Sequence, residues 1–247
     1  MRFIIKKGET MAKRSKKKVS KVEFIFALIL LIGVTAYRWY EASQVVSYSM
    51  DDIPAFAGEA FVIIDENQPS FTEDEVTTSA YEFYSELDYL GRCGVTEACI
   101  GVELMPTEKR GDISSVKPTG WEQESYDFVD GKSLYNRCHL IGFQLAGENA
   151  NECNLITGTR YMNVDGMLPF ENMVADYVEE TGNHVMYRVT PAFVGDELVA
   201  RGVQMEALYV EDNGEGVFFN VFCYNVQPGV EIDYATGENW LAEENAV

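Results

Sequence analysis

Hydrophobic and polar positions divide the chain into three regimes. Residues 12–21 (AKRSKKKVSK) are almost wholly polar and basic, 24–37 (FIFALILLIGVTAY) form one apolar run, and from residue 55 onward short apolar stretches alternate with turns. In that last regime, short apolar runs bounded by turn residues predict strands over 61–64, closed by Asp65-Glu66-Asn67, and over 100–104. Further strands are predicted within 134–145, then over 185–190 and 198–207 around a Gly195-Asp196 turn. A last pair is expected near 208–210 and 217–226. Two stretches have helical spacing. In 80–90, Tyr81, Tyr84, Leu87 and Leu90 recur every three to four residues and Gly91 ends the run. In 160–180 the pattern is best after Pro169, with Phe170, Met173, Val174 and Tyr177 on one buried face, Pro169 in the first turn and Gly182 as the stop. The fold class expected is α+β: an antiparallel sheet with few helices.

The basic stretch followed by the apolar run predicts a cytoplasmic N-terminus and an exported remainder. At 14 residues the run is short for a span, which takes roughly 20, and Val34-Thr35-Ala36 resembles the small-residue pattern before a signal cleavage site. Val22 would lengthen it at one end, while Trp39 and Tyr40 suit a membrane interface with Arg38 snorkelling. The organisation read from this is a basic tail (1–21), a signal anchor or cleaved signal (22–41, the anchor favoured), a linker (42–54) and one domain (55–247). About 200 residues are enough for a single well-packed core.

Charge complicates any nucleic-acid role. The first forty residues hold ten of the 19 Lys/Arg and two of the 40 Asp/Glu, leaving nine basic and 38 acidic residues, a net of −29, in the rest. Phosphate binding usually leaves a basic footprint. The two agree only if the few arginines gather at one cleft and a divalent cation supplies the remaining positive charge. Five cysteines, with no CxxC pair, leave at least one thiol unpaired or bonded to another chain. With two histidines in all, a zinc site is not expected.

The chemistry concentrates in 136–171, NRCHLIGFQLAGENANECNLITGTRYMNVDGMLPFE. Cleaving a phosphodiester takes a deprotonated water, neutralisation of charge on the phosphoryl oxygens and help for the departing oxygen. His139 is a candidate base, because an imidazole of ordinary pKa is neutral at pH 7–8. Asparagine carbonyls and carboxylates are hard ligands for Mg²⁺ or Ca²⁺. Arg137, two residues earlier on an extended segment, would share the His139 face and suits phosphate. A lone histidine is more often structural and asparagine-rich loops are usually turns, so residue types alone leave both readings open.

NRCHL, NLITGTRYMN and PFEN together resemble the DNA/RNA non-specific endonucleases of the ββα-metal class, whose signature is written D-R-G-H, and most of all the branch of secreted and membrane-bound DNA-entry nucleases. The spacings Asn154 to Asn163 (nine) and Asn163 to Glu171 (eight) match as well as the letters. The resemblance implies His139 as general base, Asn163 as direct ligand of a hydrated Mg²⁺ (Mn²⁺ a substitute) and Glu171 as the carboxylate holding a water of that ion. It implies Asn154 as support for the phosphate and the active-site loop, and Arg137 as the signature arginine. Lys109 and Arg110 would form an upstream phosphate clamp, with Arg160 a further substrate contact.

Eight helical residues would set Asn163 and Glu171 on one side, with a kink expected at Pro169. The signature Asp is Asn136 here and its Gly is Cys138, whose candidate disulfide partner is Cys93 in the similar sequence GRCG. His184, Arg188 and Arg201 are read as structural. The function implied is metal-dependent cleavage of DNA, and of RNA as a second substrate, with little sequence specificity and no small-molecule cofactor. It would act at the cell surface through the N-terminal segment or after secretion. The alternative is a catalytically degenerate module that binds nucleic acid or a surface partner.

Overall fold

A computed structural model describes residues 28, 30–33, 49–212 and 216–243. Residues 28 and 30–33 are helical, and among the described residues no helix is long and apolar enough to cross a membrane. The rest of the anchor expected over 22–41 lies outside the described residues.

Residues 42–247 form one compact unit. Its frame is a six-stranded antiparallel sheet of β1 (Phe61–Ile63), β2 (Tyr81–Tyr84), β3 (Thr96–Ile100), β6 (Val185–Pro191), β7 (Gly202–Tyr209) and β8 (Phe218–Tyr224), in the order β1-β8-β7-β6-β3-β2. β4 (Tyr135–His139) and β5 (Leu155–Thr159) form a separate two-stranded ribbon, with the one-turn helix α1 (Phe143–Ala146) between them in sequence. After β5 come a π-helical turn, Met162–Met167, and the main helix α2 (Leu168–Thr181). β9 (Val230–Ile232) and β10 (Asn239–Leu241) close the chain as a small hairpin.

Alternation along the central strands explains the layering. Val185, Tyr187 and Val189 of β6, Val203, Met205 and Ala207 of β7, and Phe219, Val221 and Cys223 of β8 face one core. Phe170, Val174, Ala175 and Val178 of α2, with Met162 and Met167 of the π turn, pack onto that face, as do Cys138 and Ile156 of the ribbon. The ribbon and α2 are therefore held to a rigid sheet through one apolar layer. On the opposite face Arg188 pairs with Glu75 at 2.8 Å and Glu97 at 2.6 Å; Arg201, just before β7, pairs with Glu197 and stacks on Tyr234, so both arginines are engaged within the fold.

The α+β class is as expected, with corrections within it. Residues 80–90 are not a helix. Tyr81-Glu82-Phe83-Tyr84 is aromatic-rich and pairs with β3 as an edge strand, so β-propensity and an available partner override the helical spacing. The strand expected over 100–104 lies earlier, because the chain turns at Gly101, whose carbonyl accepts from Leu104 N–H. Leu198 and Val199 do not open β7; their N–H groups bond to Tyr234 O. β7 instead runs on through Leu208 and Tyr209, merging two expected strands. On α2, Met173 is 46% exposed and the buried stripe continues through Val174, Ala175 and Val178. Gly182 ends that helix in the left-handed region, φ 70°, as expected.

Candidate active site

The β4–β5 ribbon and α2 make a ββα unit. On β4, Tyr135, Arg137 and His139 alternate onto the same side and line a cleft of about 620 Å³, together with Arg110, Arg160, Asn163 and Glu171. Sequence positions 110 to 171 thus meet in one place. Three of the nine basic residues beyond position 40 face this cleft, so an otherwise acidic chain concentrates its arginines there.

His139, at the last position of β4, is 6% exposed. Its Nε2 lies 3.0 Å from the carbonyl oxygen of Asn149, and its Nδ1 lies 3.4 Å from a guanidinium nitrogen of Arg110. A carbonyl only accepts and a guanidinium only donates, so the proton sits on Nε2 and the lone pair on Nδ1. Burial, and then the Arg110 charge, push the imidazole down to about 4 against the raising effect of the Asn149 carbonyl, so it is neutral at pH 7. The folded value lies below the ordinary 6.5. Stability from keeping this ring uncharged is therefore complete above that ordinary value and drains away as pH falls towards 4. Melting curves should show a steeper acid loss for the wild type than for His139→Gln across this window; equal slopes would contradict the burial of a neutral ring.

Asn163 lies inside the π turn, and its Oδ1 accepts from the Cys138 thiol at 3.0 Å. Asn163 and Glu171 are joined through this wide turn, which runs directly into α2, and Pro169 lies in the first turn of α2. Asn163 and Glu171 both reach the cleft. Burial pushes the Glu171 carboxyl up to about 7, with Arg110 opposing. The carboxyl rests against Gly142: a Cβ there would stand 2.8 Å from the carboxyl carbon and 2.8 and 2.9 Å from its oxygens. Gly142→Ala should displace this side chain, lowering catalytic activity by up to about 10²-fold with little change in melting temperature. Unchanged activity would show that the position of Glu171 is immaterial.

The remaining residues divide between cleft and support. Asn154 is fully buried; its Oδ1 accepts from Ile141 N–H at 2.8 Å and its Nδ2 donates to Ile141 O at 3.0 Å, which fixes the loop carrying Gly142. Both ends of its amide are engaged in supporting that loop. Arg137 donates to the carbonyls of Val116 and Ser114 and stacks on Trp121, 4.4 Å from the ring centre, so it ties down the 114–116 loop at the cleft wall. Arg160 is held by Asp130 at 2.7 Å on the rim. Lys109 and Arg110 part company: Arg110 turns to His139, whereas Lys109 lines a neighbouring groove with Glu103 and Glu108.

Asn136, in place of the signature Asp, lines the cleft with a buried Nδ2 that has no hydrogen-bond partner. Cys93 and Cys138 are not bonded; all five thiols are free. The Cys93 thiol contacts the carbonyls of Glu152 and Leu155, while Cys138 points to Asn163 in space left by Gly158, where a Cβ would approach its sulfur to 2.4 Å. His184 bonds to Glu211 at 2.6 Å, a structural role as expected. Trp121, Tyr135, Gly142 and the Asn149 carbonyl are site components that residue types did not mark. Only Asn149 carried a signal, as one of the recurrent asparagines.

A buried neutral imidazole, two oxygen donors and a group of arginines around one cleft define a phosphodiesterase-like site on a ββα unit. The chain belongs to the DNA/RNA non-specific endonuclease family, whose model matches residues 71–210. It is 32% identical over 110 residues to a protein named deoxyribonuclease from Streptococcus dysgalactiae subsp. equisimilis, covering 42% of this chain and 32% of that one. It thus spans about a third of that relative's length. NucA from Streptococcus agalactiae, solved with a magnesium ion, has the same fold at TM-score 0.68 and 24% identity, covering 78% of this chain and 94% of NucA. The Sda1 nuclease solved with zinc gives TM-score 0.63 and 24% identity, over 80% of this chain and all of that one.

Proposed function

We propose that this protein is a Mg²⁺-dependent endonuclease that hydrolyses DNA, and RNA as a second substrate, with little sequence preference. The observation that carries this reading is the Nδ1 lone pair of a neutral His139, turned towards Arg110 in the cleft that Asn163, Glu171 and the arginines share. The deoxyribonuclease relative supports DNA as the main substrate. The basic run before the apolar segment supports action outside the cell, anchored or released.

The donor set fits a hard dication. Among the described residues no group of three or more His, Cys, Asp or Glu is arranged to hold a metal. One amide oxygen and one carboxylate suit an ion that keeps most of its water, as Mg²⁺ does. Asn163 would be its direct ligand and Glu171 would hold its hydration shell. Bound there, the ion supplies positive charge against the phosphoryl and leaving oxygens.

The chain's own residues do the rest. Arg110 and Arg160 draw the phosphodiester into the cleft. His139 Nδ1 removes a proton from the attacking water, whose oxygen bonds to phosphorus as the bond to the 3′ oxygen breaks; the products are a 5′-phosphate and a 3′ oxygen that takes its proton from solvent water. The Asn149 carbonyl, already bonded to Nε2–H, stabilises the imidazolium that forms. Incubating the protein with plasmid DNA and with RNA, with and without Mg²⁺, tests the reading. Metal-dependent nicking of plasmid is expected; an inert protein under all conditions would contradict it.

A further inference from the structure

Asn149 joins two parts of the site that the chain supplies from separate loops. Its main-chain oxygen orients the His139 ring, while its side-chain Oδ1 accepts from the N–H of Gly111 at 2.6 Å. Gly111 directly follows Arg110, whose guanidinium faces His139 Nδ1. The fit is close, since a Cβ at Gly111 would stand 3.2 Å from the same Oδ1. Arg110 has no ion pair among the described residues: the salt bridges there engage Arg92, Lys132, Arg160, His184, Arg188 and Arg201. Its placement therefore depends on the backbone of its own loop.

We infer that Asn149 is a positioning residue that sets the Arg110 loop against the catalytic imidazole through its side-chain bond to Gly111. This rests on the proposed nuclease function. The two bonds are separable, because truncating the side chain removes the hold on the loop and keeps the carbonyl that orients His139. Loss of the side chain acts on substrate capture more than on proton transfer.

The test is a double-mutant cycle in the full-length chain with Asn149→Ala, Arg110→Ala and the pair, reading KM and kcat on DNA with Mg²⁺. Asn149→Ala should raise KM about tenfold with a smaller loss in kcat. In the Arg110→Ala background it should add almost nothing, because the two act through one contact. Effects that multiply, or an unchanged KM, overturn the inference. Affinity for a fluorescent duplex, measured in the same four proteins, needs no cleavage. A wild type that binds but does not cut defeats the nuclease reading, while this arm still judges Asn149 by the same non-additivity. If Asn149→Ala does not fold, Asn149→Ser, whose hydroxyl falls short of Gly111, takes its place.

Discussion

Replacing His139 with alanine should lower the rate of plasmid nicking by roughly 10²–10⁴-fold, the range over which a positioned base accelerates such steps. Glu171, which also lines the cleft, is assigned to the hydration shell of the ion. Arg110 is the side chain nearest to Nδ1 and has no lone pair to offer, and the second histidine, His184, is bound to Glu211 and Glu103 instead of lining the cleft. The fold should survive. Backbone pairing with Leu155 holds position 139, and the apolar layer beneath the ribbon comes from Cys138, Leu140 and Ile156. Circular-dichroism melting measured beside the nicking rate separates the two effects. A folded His139→Ala that cuts at wild-type rate would remove the imidazole from the chemistry.

The second large effect concerns the cation. Chelation with EDTA should stop cleavage and added Mg²⁺ should restore it. Asn163→Ala should need far more Mg²⁺ for the same rate, with a loss of about 10²-fold or more at fixed metal. The reasoning is from number of ligands. With one direct protein oxygen and a carboxylate behind it, losing the amide removes the only neutral oxygen donor assigned to the ion, and the acidic surface offers competing sites elsewhere. Cleavage that persists after thorough chelation would sink the metal role, and an Asn163→Ala protein with an unshifted Mg²⁺ requirement would reassign the ligand.

Much of the site was legible because its residues are local in sequence. His139, Asn154, Asn163 and Glu171 sit within one stretch of the chain, and a ββα unit brings such a stretch together without help from distant strands. The spacing from Asn163 to Glu171 indicated one shared side, although the means is a wide π turn that no periodicity announces. Arg110 was harder to place. Its loop has no apolar pattern, and the choice between it and Lys109 is made by Asn149 and Gly111, a contact across 38 positions.

The errors have a common origin. Tyr81, Tyr84 and Leu87 show helical spacing, yet an edge strand of four residues is too short for its alternation to outweigh chance. Cys138 suggested a disulfide by its neighbourhood in sequence. Its thiol instead turns inward to Asn163, a direction set by the alternation of β4 and by the missing side chain of Gly158. Lys109 sits beside Arg110 and faces another groove, since adjacent residues of an extended loop point apart.

The central claim is that a neutral imidazole and an ion at Asn163 do separate jobs, and chemical rescue tests it most directly. Free imidazole is added to His139→Ala and to Asn163→Ala in the presence of Mg²⁺, and plasmid nicking is followed. The account predicts partial recovery in His139→Ala, where the added base can enter the vacated space, and none in Asn163→Ala. Recovery in both proteins, or in Asn163→Ala alone, would contradict it.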